Sequence, residues 1–229
     1  MSIIKEYFNI LHAIPETGHQ EFQTSAWLAQ KLGSFGYELK TGLGVTGIAG
    51  TIKGAMPGPT VIVRADMDAL SHVVDGKQCA IHSCGHDAHC AIVLRMAEQI
   101  VEQGGINSGI LKILFQPAEE TLTGALEVIK AGAIDDGDII LGIHLRPGQE
   151  ASTGQATPAL YHAASTIMTA TLQGLSAHGA RPHLGINVID AAAAVVNAVN
   201  AIHMNPVIPS SVKVTRLMAG GGALNAIPD

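Results

Sequence analysis

Thr60-Val61-Ile62-Val63-Arg64-Ala65-Asp66-Met67-Asp68 is the stretch on which the fold turns. Its first residues are apolar without alternation, as in a strand covered on both faces, which is the habit of parallel sheets flanked by helices. The run ends in two carboxylates, where the strand tips of open α/β sheets carry chemistry. Residues 110–115 and 138–144 read as two further buried strands, and 45–53 as another strand-like run before them. Between the strands lie helical patterns at 88–103, with Asp87 available as N-cap, and at 123–131. The alternation predicts an α/β fold with a mostly parallel, twisted sheet between helices.

Upstream, Ile3, Ile4, Tyr7, Phe8 and Leu11 recur at helical spacing, so residues 2–13 are expected to form an amphipathic helix that stops before Pro15. A second helix is expected over 21–32, ended by Gly33 and Gly36, with His19 and Glu21 on a solvated loop between the two. Residues 54–59, rich in glycine and proline, read as a turn. Downstream the rhythm changes. A polar stretch over 146–158 gives way to alternation over 165–172 and a loop with His178, Arg181 and His183. A helix over 188–203 follows, capped by Asn187, and then a strand over 212–217. This order predicts a catalytic domain over 1–162 and a second, smaller and incomplete α/β domain over 163–229.

With 229 residues, 47% hydrophobic and 14% charged, the chain can bury a sizeable core. A net charge of -6 without basic runs argues against nucleic acid as a partner. Charges near the N-terminus and the lack of a long uncharged apolar run argue against a signal peptide and a membrane span, so a cytoplasmic location is expected. Cys79, Cys84 and Cys90 are odd in number and match neither a CxxC pair nor a zinc ribbon, so a disulfide framework is not expected.

Three short motifs carry the chemistry. In Ser83-Cys84-Gly85-His86-Asp87-Ala88-His89, Cys84 and His86 can face the same side only if Gly85 lets the backbone bend. A thiolate before a helix N-terminus suits a ligand or a nucleophile, and a buried free cysteine beside a capping histidine is the other reading. In Phe115-Gln116-Pro117-Ala118-Glu119-Glu120, two adjacent carboxylates repel unless a cation or proton lies between them. An extended backbone would send them to opposite sides, one to a metal and one to a water. A solvated acidic loop is the alternative. His144 closes the strand at 138–144, as a ligand or as a core histidine bonded to backbone. If the strand tips share one crevice, this mixture of N, O and S donors suits a borderline divalent ion, with room for two.

The strings RADMDAL, CGHDAH, FQPAEE, GIHL, SAHGARPHLG and the terminal NAIPD resemble the aminoacylase and carboxypeptidase-G superfamily of co-catalytic metallopeptidases, and within it the hippurate hydrolase and indole-acetyl-amino-acid hydrolase branch. The resemblance implies an amidohydrolase acting on small N-acyl amino acids or dipeptides. It implies two divalent ions, manganese or zinc with cobalt a third choice, held by Cys84 in the bridging position with His86, Glu120 and His144. Glu119 is then the general base, and Asp68 a carboxylate that orients a ligand. His178 is the lid histidine that polarises the scissile carbonyl, and Asn225 helps hold the substrate carboxylate. The second domain is then part of a ferredoxin-like lid, through which a homodimer is expected.

Members of that superfamily continue past the position where this sequence stops, with a last histidine ligand and a lid arginine, so a chain truncated at its C-terminus is expected. The loop over 70–81 is short, with Ser71 where many members have proline. A non-catalytic remnant that binds metal or a partner chain is the rival reading. A thiol enzyme built on Cys84 and His86 is weaker, because it leaves Glu119, Glu120 and His144 without a task.

Overall fold

The computed structural model describes residues 2–160 and 164–229. Its elements, in chain order, are α1 (Ile3–His12), α2 (Phe22–Ser34), β1 (Glu38–Leu43), β2 (Gly47–Lys53), β3 (Met56–Asp66), β4 (Leu70–Val74), β5 (Lys77–Ile81), α3 (His86–Glu102), β6 (Ser108–Gln116), α4 (Gly124–Lys130), β7 (Ile139–Gly142), β8 (Ala177–His178), α5 (Val188–Asn200) and β9 (Ala226–Ile227). Packing divides the chain into two units, Met1–Gln155 and Ala156–Asp229. The boundary expected at 162/163 falls on residues outside those described.

In the first unit the sheet order is β1-β2-β6-β3-β7. β6 and β7 both pair parallel with β3, whereas β2 runs antiparallel to β1 and to β6, so β2 alone is reversed. The lack of alternation in the central strands has a direct cause. Val63, Ile113 and Phe115 face α1, α2 and α3 in a core with Tyr7, Leu11, Leu28, Leu32 and Leu94, while Ile62 and Leu114 face α4 and its Val128. Apolar side chains are therefore needed on both faces.

Several sequence expectations need correction. β7 was expected to be buried, but Ile139, Ile140 and Leu141 are each about half exposed (48–54%), because β7 is the last strand in the order and pairs only with β3. Pro57, Gly58 and Pro59 lie inside β3 rather than in a turn. The expected loop after Leu70 is the β4–β5 hairpin, closed by Asp75 and Gly76, both at positive φ, the twist-matched geometry favoured by Asp-Gly. α3 is capped by Gly85, and Asp87 is instead a buried helix residue that accepts a hydrogen bond from His12 Nδ1 at 2.6 Å.

In the second unit, α5 begins as the sequence predicts, with the Asn187 side chain accepting from the Ile189 N–H at 3.1 Å. β8 pairs antiparallel with β9, and a short 3-10 helix, Pro182–Leu184, lies between β8 and α5. The strands expected over 165–172 and 212–217 form no ladder; Ile167 and Met168 are exposed. No helix among the described residues is long and apolar enough to cross a membrane.

Candidate metal centre

In the first unit, β3 leads out to Asp68, β6 to the turn holding Glu119 and Glu120, β7 to His144, and α3 begins at His86 with Cys84 in the turn before it. Gly85 has φ 88°, and a Cβ there would come within 2.9 Å of Leu145 Cδ1. Only glycine takes that bend without strain, and it turns Cys84 and His86 into one space.

The donor atoms of Cys84, His86 and His144 lie within 4.8 Å of one another, and so do those of His86, Glu119 and Glu120 and those of Asp66, His86 and His89. Cys84 Sγ is 3.5 Å from His144 Nε2. His86 Nδ1 donates to the Asp68 carbonyl at 2.9 Å and stands 3.2 Å from Asp68 Oδ1, which leaves Nε2 as the free lone pair. That Nε2 is 4.0 Å from a Glu119 oxygen and 3.9 Å from Glu120 Oε1. Among the described residues, neither His86 Nε2 nor Glu120 Oε1, both buried, has a hydrogen-bond partner. Asp68, fully buried, accepts the Glu120 N–H on its other oxygen at 2.9 Å.

These groups fit a divalent cation. Two donors on one tetrahedral ion stand about 3.3–3.8 Å apart when bonds are about 2.0–2.3 Å, close to the Cys84 to His144 separation. Burial, followed by the carboxylates of Glu120, Glu119 and Asp66, pushes the Cys84 thiol up to about 12. Burial also lifts Asp66 to about 7 despite the neighbouring Arg64 guanidinium. For His86, burial alone would lower the pKa, but the Asp68 hydrogen bond and the Asp66 and Asp68 charges outweigh it and raise it. A space that protonates its own acids reverses that behaviour when a cation enters.

Glu119 and Glu120 do not point to opposite sides, as an extended backbone would require, since both reach the same face of His86. The cause is the turn in which both lie, entered through Ala118 at φ 52° and closed by the Leu122 N–H donating to the Glu119 carbonyl at 2.8 Å. Glu21 is not solvated but completely buried: its Oε1 accepts the Ala118 N–H at 2.8 Å and its Oε2 accepts the Thr46 hydroxyl at 2.7 Å. His19 is half-buried, with Nε2 2.9 Å from the Thr123 hydroxyl.

His178 and Asn225 belong to the second unit, where β8–β9 pairing makes them neighbours. His178 Nδ1 accepts the Ala180 N–H at 3.1 Å, and the Gly179 N–H donates to the Asn225 carbonyl at 2.7 Å.

Sequence reasoning missed His89 as a member of the cluster and placed Asp66 at the strand tip without giving it a role. His89 accepts the Leu145 N–H at 2.9 Å, its ring lies 4.4 Å from that of His144, and burial followed by the His144 and His86 charges lowers its pKa to about 3. The signal was available: His89 lies three residues after His86, on the same helix face. Glu21 had no such signal, being a lone carboxylate ahead of a helix.

A strand-tip cluster of thiol, imidazoles and paired carboxylates is a donor set that could hold a metal ion. The model of peptidase family M20/M25/M40 matches residues 62–222, and the chain belongs to that family. It is 32% identical to the N-acetyl-L-cysteine deacetylase of Bacillus subtilis, over 96% of this chain and 55% of the relative. It is 31% identical to an Arabidopsis thaliana IAA-amino acid hydrolase, ILR1-like 2, over 96% of this chain and 52% of the relative. Among solved structures, the Bacillus subtilis YXEP protein, a dinuclear metal-binding peptidase of family M20, superposes with a TM-score of 0.57 at 30% identity, covering 63% of this chain and 42% of that one. The chain spans just over half the length of these two curated relatives.

Proposed function

We propose that the chain is a metal-dependent amidohydrolase that cleaves the amide bond of N-acyl or aminoacyl amino acids, hippurate-like compounds included. The observation that carries this reading is the convergence of Cys84, His86, His144, Glu119 and Glu120 around two buried, unpartnered donor atoms. The names of two relatives support the substrate class, since an N-acetyl amino acid and an indole-acetyl amino acid are both amides of this kind.

In this reading Cys84, His86, Glu120 and His144 hold two divalent ions, manganese or zinc, with cobalt able to replace them. The chemistry such ions would supply there is polarisation of a carbonyl and acidification of an adjacent water. Glu119 takes the proton of the attacking water and returns it to the leaving amine. Asp68 orients His86 through Nδ1 and steadies the Glu120 backbone. His178 meets the charge developing on the carbonyl oxygen, and Asn225 holds the substrate carboxylate. The second unit serves as lid and homodimer module, a role that a strictly monomeric sedimentation profile would remove.

The test pairs elemental analysis with hydrolysis of hippurate and N-acetyl amino acids. Close to two ions per chain with turnover supports the enzyme, while at most one ion with no turnover supports a non-catalytic remnant. Glu119→Gln should keep its metal and lose about 10²-fold or more in rate. Unchanged turnover in that variant would reject Glu119 as the base.

A further inference from the structure

Ala118 N–H and Glu120 N–H are the two peptide donors that flank Glu119. Each is given to a fully buried carboxylate: Ala118 to Glu21 Oε1 at 2.8 Å, Glu120 to Asp68 Oδ2 at 2.9 Å. Asp68 touches the candidate ligand His86, but Glu21 touches none of the candidate metal donors among its hydrogen bonds. Among the described residues, its side-chain hydrogen-bond partner is the Thr46 hydroxyl, which donates to Oε2 at 2.7 Å.

Burying a carboxylate this completely is unfavourable unless its oxygens are satisfied, so such a group persists where its hydrogen bonds hold something in place. Here they hold a strained residue. Ala118 has φ 52°, a conformation a non-glycine residue adopts only when its surroundings impose it. The surroundings act from both ends. Glu21 takes the Ala118 N–H, and the Ala118 carbonyl accepts from the Gly124 N–H at 3.1 Å and the Thr121 hydroxyl at 3.0 Å. On the neighbouring side Gly18 leaves so little room that a Cβ there would meet Ala118 Cα at 3.1 Å. The turn entered there carries both following carboxylates, with Glu119 at 4.0 Å and Glu120 at 3.9 Å from His86 Nε2.

We propose that Glu21 is a positioning residue: through the Ala118 amide it fixes the backbone turn that aims Glu119 and Glu120 into the metal centre. This rests on the amidohydrolase reading above. Thr46, anchored in turn by the Ser25 hydroxyl donating to its carbonyl at 2.7 Å, sets the orientation of the Glu21 carboxylate.

The test uses the full chain loaded with Co²⁺, followed both by its visible spectrum and by hydrolysis of N-acetyl amino acids, with circular dichroism as the check on folding. Glu21→Ala should change the Co²⁺ spectrum, because the Glu120 carboxylate moves, and lower kcat about 10²-fold with KM little altered. Glu21→Gln keeps an acceptor for the Ala118 amide and should recover most of both signals. Thr46→Val, which removes only the hydroxyl, should shift the spectrum in the same direction by less; it decides the matter if Glu21→Ala does not fold. A wild-type spectrum and kcat in both Glu21→Ala and Thr46→Val overturn the proposal, as does a Glu21→Gln chain as damaged as Glu21→Ala. If the unaltered chain binds no Co²⁺ and turns over nothing, it is the amidohydrolase reading that has failed. If it binds Co²⁺ without turnover, the spectrum alone decides the role of Glu21.

Discussion

The two units use similar apolar patterns to different effect. In the first, Ile62, Val63, Ile113, Leu114 and Phe115 lie in strands that pair on both sides and are covered by helices on both faces, and they are buried. In the second, the apolar positions of 165–172 and 212–217 are strand-like in sequence, yet no ladder forms among the described residues, and Met168 and Leu217 are 85% and 58% exposed. Val188, Ala192 and Ile227 are the buried apolar residues among those described there. A periodic pattern therefore specifies a strand only where partner strands and a covering layer exist to complete it. β7 lies between the two cases, paired on one edge and half exposed.

This contrast can be broken by substitution. Phe115→Ala, which opens a cavity beneath α3, should cost about 3–5 kcal/mol in urea unfolding, whereas Met168→Ala should stay within about 0.5 kcal/mol. Equal losses at the two positions would mean that the units are not packed so differently. Gly85→Ala should cost about 1–3 kcal/mol, because it forces an ordinary residue into a left-handed conformation against Leu145, and metal binding should weaken with it. Asn187→Ala removes the cap of α5 and should cost about 1 kcal/mol, read as earlier loss of helical signal from the second unit with the first unit's transition unmoved.

The smallest effect concerns pH. The Lys112 ammonium, bonded to Asp136 and to the Ala133 carbonyl, holds the Asp136 carboxyl below the usual range. Its contribution is thus fully present above the unfolded value of about 3.9 and is lost as pH falls through the lower folded value. Asp136 is exposed, so the loss is slight. Thermal melts between pH 5 and 2.5 should show Asp136→Asn with the flatter acid limb, and parallel limbs would discard the pair.

Most of the central sheet was legible because burial on both faces leaves its mark in composition, as at 60–65 and 110–115. The cluster was legible because sulfur, nitrogen and oxygen donors fell at strand tips and a helix start. What escaped had local reasons. β1 carries Lys40, Thr41 and Gly42 on an exposed edge, so its pattern is faint. The β4–β5 hairpin lies in an exposed segment whose one clear sign, Asp75-Gly76, is short. Glu21 could not be read at all, because its importance comes from Thr46 and Ala118, which only the folded chain brings beside it.

Gly85 leaves a last consequence. The backbone there is shaped by the want of a side chain, independently of which donor precedes it, so position 84 could exchange sulfur for an oxygen or nitrogen donor while the route of the chain stays as it is. In the proposed metal site, a change at that one codon would then tilt the balance between soft and hard cations, while the neighbouring codon would be closed to change.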